Sequence, residues 1–182
     1  MSRIPTPASV EAAPEASKGL LEAVNNLLGS VPNMFRIIAN SPQTLEGYLG
    51  LNGALGKGSL DASTRERIAL AVAEINGCNY CLAAHTYLGT NLAKLDSAEI
   101  EANRRGTSSD DKAAIAVAFA SKLTINRGKV SERDLQIVRD AGYSDAEVVE
   151  IVGHVAVNTL TNYINEALGT EVDFPTVNTL AA

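Results

Sequence analysis

The sequence predicts an all-α protein, a bundle of about seven to eight helices. Three observations carry that prediction. Beyond the first sixteen residues, apolar positions recur at three-to-four spacing in one segment after another. These segments open on Ser or Asp, and several are followed by Gly, the punctuation of helix ends. No segment alternates β-branched with polar residues, and no Asn-Gly or Asp-Gly joins two such segments as a hairpin.

Residues 1–16 carry Pro5, Pro7 and Pro14 among Ser, Thr and Ala without a sustained apolar period, and read as a poorly ordered or surface-docked N-terminal arm. Residues 17–182 read as a single domain. From Ser17 the positions Leu20, Leu21, Val24, Leu27 and Leu28 make one apolar face, and Gly29 stops the helix with Pro32 beyond. Met34, Phe35, Ile37 and Ile38 then make a short helical turn, and a helix follows over 42–55, ended by Gly56 and Gly58. Ser63-Thr64-Arg65-Glu66 has the spacing of a capping box and opens a helix over 63–75, closed by Asn76-Gly77. The next runs over about 78–92. Further helices are expected over 97–104, 110–124, 131–141 and 144–168, the last softened by Gly153.

Composition narrows the function classes. The chain has 182 residues, 46% hydrophobic and 20% charged, enough for one domain with a substantial core and well away from disordered compositions. Its longest apolar run, residues 113–120, is far short of the ~20 residues that cross a membrane. The first residues lack the apolar core of a secretory signal, so a cytoplasmic location is expected. A net charge of -6 gives no electrostatic reason to expect nucleic acid. Helices rich in Ala and poor in aromatics present shallow faces and leave apolar stripes for a partner subunit, so a homo-oligomer is expected.

With two cysteines and two histidines in the chain, the grouping of Cys78, Cys81 and His85 within eight positions stands out. On a helix starting at Cys78 the three lie at i, i+3 and i+7 and share a face. Cα atoms three apart on a helix are separated by roughly 5 Å, a span that a disulfide tolerates. Redox chemistry needs a thiolate, and an isolated thiol with a pKa of about 8.5 is mostly protonated at neutral pH. The helix N-terminus near Cys78 and the imidazole of His85 both lower a thiol pKa. Position at the helix end favours Cys78 as the exposed attacking thiol, whereas proximity to His85 favours Cys81. Glu66 or Glu74 on the preceding helix is the candidate carboxylate to orient His85.

The arrangement Glu66, eleven residues, Cys78, two residues, Cys81, three residues, His85 resembles the active-site motif of the alkylhydroperoxidase D-like proteins of the carboxymuconolactone decarboxylase superfamily. The resemblance extends from Val31-Pro-Asn-Met-Phe to Leu55, and from Phe119-Ala-Ser-Lys-Leu through Gly142-Tyr-Ser-Asp-Ala-Glu to Asp173-Phe-Pro, and looks most like the peroxidase-related branch. It implies an all-helical trimer or hexamer with thiol-dependent hydroperoxide reductase or disulfide reductase activity, using no cofactor and no metal. By the same resemblance Cys81 attacks the peroxide, Cys78 resolves the sulfenic acid, and His85 with Glu66 forms the proton relay. The partners implied are a hydroperoxide and an external thiol or dithiol reductant, such as a lipoyl- or thioredoxin-like protein. This sequence departs from the best-known members at Tyr80, where they carry a relay histidine. A phenol donates a hydrogen bond but is a poor base at neutral pH. The decarboxylase branch lacks the cysteine pair, which disfavours the lactone reaction.

Each residue also has a plainer reading. The cysteines and His85 would supply three ligands of a zinc site, with only His154 or a carboxylate left to complete it, or the cysteines are apolar core. Leu82 after the second cysteine excludes haem attachment. Glu66 serves as the capping-box partner of Ser63 or pairs with Arg65 or Arg67. Glu74 is a solvated or intersubunit charge near the site. Tyr80 covers the pocket or packs at a subunit contact. His154, among Val152, Val155 and Val157, is a hydrogen-bonded packing residue. A second function class also fits: a redox-responsive oligomeric dithiol module that changes assembly without turning over peroxide.

Overall fold

The computed structural model describes residues 2–180; residue 1 of the expected arm and residues 181 and 182 of the expected domain lie outside the described residues. Among the described residues there are nine helices and no strand: α1 (Glu15–Leu28), α2 (Asn33–Ile38), α3 (Pro42–Leu55), α4 (Ala62–Ile75), α5 (Asn79–Asn91), α6 (Ser97–Arg104), α7 (Asp111–Ile125), α8 (Glu132–Asp140) and α9 (Asp145–Leu168). The all-α expectation holds. The count exceeds seven to eight because the turn between Pro32 and Pro42 closes into a helix of its own.

The hub is α4, which packs against α5, α6, α7 and α9. Its residues Ile68, Ala69, Leu70, Ala71, Val72 and Ala73 are all buried, the pattern of a helix surrounded by others. The alanines let neighbouring backbones approach. Burying each Leu or Ile contributes about 1.5–3 kcal/mol. One apolar cluster joins α4, α7, α8 and the first half of α9 through Ile68, Val72, Phe119, Leu123, Val138 and Ile151. A second joins α1, α2 and α3 to the start of α5 through Leu21, Ile37, Leu45, Cys78, Cys81 and Leu82.

Helix starts follow local chemistry. Ser41, Asp110, Ser131 and Ser144 each accept a backbone N–H of the first turn, and the last two close capping boxes with Asp134 and Glu147. The expected box at Ser63 does not form. Asp61 caps α4 instead, accepting from Thr64 N at 2.8 Å, because the helix begins before Ser63. Ser63 turns its hydroxyl to the Ala93 carbonyl. Gly153 does not soften α9, which runs unbroken for 24 residues. Its missing side chain admits α3: a Cβ there would meet Leu55 Cδ2 at 2.9 Å.

The first and last described segments lie against the bundle. In the arm, Arg3 Nη1 donates to the Ala167 carbonyl at the end of α9, while Asn40 and Arg36 donate to the carbonyls of Pro5 and Ala8. After Gly169 the tail crosses the start of α5, with Phe174 packed edge-on against Tyr80 and the Leu180 N–H on Glu74. Among the described residues no helix is long and apolar enough to cross a membrane.

Candidate active site

The turn between α4 and α5 builds the site. Gly77 adopts φ 69°, a conformation that favours glycine, and delivers Cys78 to the N-cap of α5. There the Cys78 sulfur accepts the backbone N–H of Cys81 at 3.3 Å. The two sulfurs are 2.8 Å apart, with the Cys78 thiol donating to Cys81. A disulfide needs about 2.05 Å, so a small further approach would close it.

Cys78 is fully buried and Cys81 is 2% exposed, which overturns the expectation that Cys78 is the exposed thiol of the pair. The N-cap position turns its side chain back into the helix start rather than outward. The two sulfurs titrate in opposite directions. The hydrogen bond from Cys78 is the largest influence on Cys81 and brings its pKa down to about 7 against the opposing effect of burial, helped by the charge of His85 and by the amides of Asn165 and Asn162. Cys78, which supplies that hydrogen bond and is buried, is pushed up.

His85, one turn along α5 from Cys81, places Nδ1 2.8 Å from Glu66 Oε2 on α4. Burial works against the imidazolium, but the Glu66 carboxylate outweighs it and raises the histidine pKa. Glu66 is therefore not a helix cap, and it does not pair with its neighbours: Arg65 donates to the carbonyls of Gly56 and Leu60, and Arg67 pairs with Glu99. His85 and Glu66 keep about a fifth of their side-chain surface exposed, 21% and 22%, so the proton end of the site reaches solvent while the thiols do not.

The other expected residues fall outside this contact set. Glu74 is largely buried rather than solvated; it pairs with Arg104 Nε at 2.7 Å and accepts the Leu180 N–H. Tyr80 is buried, accepting from Met34 N and donating to Asp173 Oδ1 at 2.8 Å, so its hydroxyl ties α2 to the tail. His154 is buried on α9, but its Nε2 has no hydrogen-bond partner among the described residues, contrary to the expected bonded histidine. Burial accordingly lowers its pKa. Among the described residues no group of three or more His, Cys, Asp and Glu side chains is placed to hold a metal ion.

Four site residues escaped the sequence reading. Asn165 on α9 donates from Nδ2 to the Cys81 sulfur at 3.2 Å, with Asn162 and Asn158 on the same inward face. Asn158 adds to the upward shift of His85. Tyr48 on α3 is near enough for the charges of Cys81 and Glu66 to add to the burial that raises its pKa. The available signal was the Asn158, Asn162, Asn165 spacing, which is i, i+4, i+7 on one helix. A cleft of about 640 Å³ opens elsewhere, between the arm and α2, and its lining of Arg3, Thr6, Asn33, Arg36 and neighbours includes none of these residues.

The nine helices of the described residues, four of them packed on the buried α4, make up a fold shared with alkylhydroperoxidase D-like proteins. Residues 42–122 match the sequence model of the carboxymuconolactone decarboxylase family. The crystal structure of an alkylhydroperoxidase AhpD core, an uncharacterized peroxidase-related protein from Ralstonia eutropha JMP134, superposes with a TM-score of 0.83 at 26% identity, covering 94% of this chain and 92% of that one. The debrominase Bmp8, in a variant complexed with 2,3,4-tribromopyrrole, shares the fold at a TM-score of 0.79 and 18% identity, covering 95% and 94% of the two chains. A stretch of 45 residues is 49% identical to an uncharacterized protein of Haemophilus influenzae, spanning 24% of this chain and 40% of that one. Over residues 42–122 the chain is thus similar to the carboxymuconolactone decarboxylase family, and across its length it shares the fold of alkylhydroperoxidase D-like proteins.

Proposed function

We propose that the protein is a thiol-dependent hydroperoxide reductase that cycles Cys78 and Cys81 between dithiol and disulfide. The observation that carries this reading is the Cys81 sulfur, brought to a pKa of about 7 by the Cys78 thiol 2.8 Å away and backed by the His85–Glu66 pair. At neutral pH a substantial fraction of such a thiol is the nucleophilic thiolate. The Cys81 thiolate attacks the terminal oxygen of ROOH and the O–O bond breaks. Sulfur is oxidised to the sulfenic acid, and the departing RO⁻ takes a proton from the His85 imidazolium to leave as ROH. The Cys78 sulfur then attacks Cys81–SOH, forming the disulfide and releasing water. An external thiol or dithiol reductant, of the lipoyl- or thioredoxin-like kind, reduces the disulfide and becomes oxidised itself. The cycle uses no metal or organic cofactor, and we place it in the cytoplasm as antioxidant defence.

Cys81→Ser is expected to abolish hydroperoxide consumption, and His85→Gln to slow it most near neutral pH, as followed by peroxide loss with a dithiol present. Equal turnover by Cys81→Ser would rule the reading out. One observation favours the alternative of a redox-responsive dithiol module or disulfide reductase without peroxidase turnover: both sulfurs are buried. A slow peroxide reaction together with a disulfide-linked change in sedimentation would select it.

A further inference from the structure

Beside the reacting sulfur one atom of each of two side-chain amides has no partner among the described residues. Asn162 is fully buried and Asn165 is 2% exposed, one turn apart on α9. Asn76 Nδ2 donates to Asn162 Oδ1 at 2.8 Å, which fixes that amide and leaves Asn162 Nδ2, the donor that bears on the Cys81 sulfur, with no acceptor within hydrogen-bond distance among the described residues. Asn165 spends a donor on the Cys81 sulfur at 3.2 Å, which leaves its Oδ1 with no donor among the described residues. A buried polar atom without a partner is costly, and an apolar side chain of similar size would avoid the cost. Here one free donor and one free acceptor are carried by two side chains that both act on the same sulfur.

A hydroperoxide has the matching polarity. Its terminal O–H needs an acceptor, and its inner oxygen, which gathers negative charge as the O–O bond breaks, needs a donor. We infer that Asn162 and Asn165 form an amide cradle for the two peroxide oxygens, with Asn165 Oδ1 accepting the terminal O–H and Asn162 Nδ2 donating to the departing oxygen. The inference rests on the peroxidase reading and deepens it by naming groups that touch the substrate. The thiolate attacks the terminal oxygen, charge builds on the inner oxygen against the Asn162 N–H, and the proton that completes ROH comes from His85. The terminal oxygen stays on sulfur as Cys81–SOH, its hydroxyl held by Asn165 until Cys78 attacks. Donors aimed at developing charge act as an oxyanion hole does.

The test compares two reagents on the reduced protein, both followed by loss of thiols: cumene hydroperoxide, whose leaving group is an alkoxide, and iodoacetamide, whose leaving iodide needs no hydrogen-bond donor. Asn162→Leu is expected to slow the hydroperoxide reaction about 100-fold, the usual loss for one oxyanion donor, while the alkylation rate per thiolate across pH stays within about twofold. Asn162→Ala, assayed alongside, is expected to show the same split should the leucine variant misfold. An equal loss with both reagents marks a structural role and overturns the cradle, as does no loss with either. A wild-type protein that alkylates near neutral pH yet leaves the hydroperoxide intact overturns the peroxidase reading and the cradle with it.

Discussion

Cys81 sits where burial, which favours the neutral thiol, is outweighed by the hydrogen bond from Cys78 and by the charge of His85. That charge depends on Glu66. In Glu66→Gln only the weaker effects of Cys81 and Asn158 would oppose burial at His85, its pKa would fall, and less positive charge would face Cys81. The pH midpoint for alkylation of Cys81 by iodoacetamide is therefore expected to rise by about one unit relative to the wild type. An unmoved midpoint would show that the pair does not govern the thiol. Much of this was legible in the sequence, because Cys and His are rare in the chain and their spacing is tight. Glu66 was ambiguous, since Ser63 three residues earlier offered a capping box, and only the cap at Asp61 frees it for His85. The α9 asparagines were not legible. That helix has apolar residues on both faces, so nothing in its pattern told an inward amide from a solvated one.

Helices and their boundaries were the most legible feature, because caps and apolar period agree. What the sequence hid was where polar chemistry between elements would be buried. The junction of α6 and α7 is the main case. Glu99, 6% exposed, accepts hydrogen bonds from Arg67, Asn103, Ser108 and Ser109. Burial alone would raise its pKa, yet these bonds hold it well below the usual carboxylate range. A carboxylate so depressed stabilises the fold at every pH above its unfolded value of about 4.3, and its contribution fades as the pH falls below that value toward the depressed one. Glu99→Ala strands the Arg67 guanidinium and is expected to cost about 3–5 kcal/mol at neutral pH, read as a lower urea midpoint. A loss of under about 1 kcal/mol would show that solvent replaces the network.

Across the whole molecule, the faces of α9 divide the work. One is buried and lines the site; the other carries Val149, Val152, Leu160 and Tyr163, exposed by 70%, 45%, 38% and 63%. Those positions fall on one stripe with Ala156. We propose that this stripe seats copies of the chain in a trimer or hexamer. Val152→Glu with Tyr163→Glu is then expected to sediment as a monomer at concentrations where the wild type does not, and an already monomeric wild type would refute the assembly.

The thiol pair can be tested most directly by counting free thiols per subunit of the reduced protein over time, after one equivalent of organic hydroperoxide is added without air. The dithiol cycle predicts that two thiols disappear together within seconds and return when a dithiol is added. Both thiols persisting for many minutes in folded protein would contradict it.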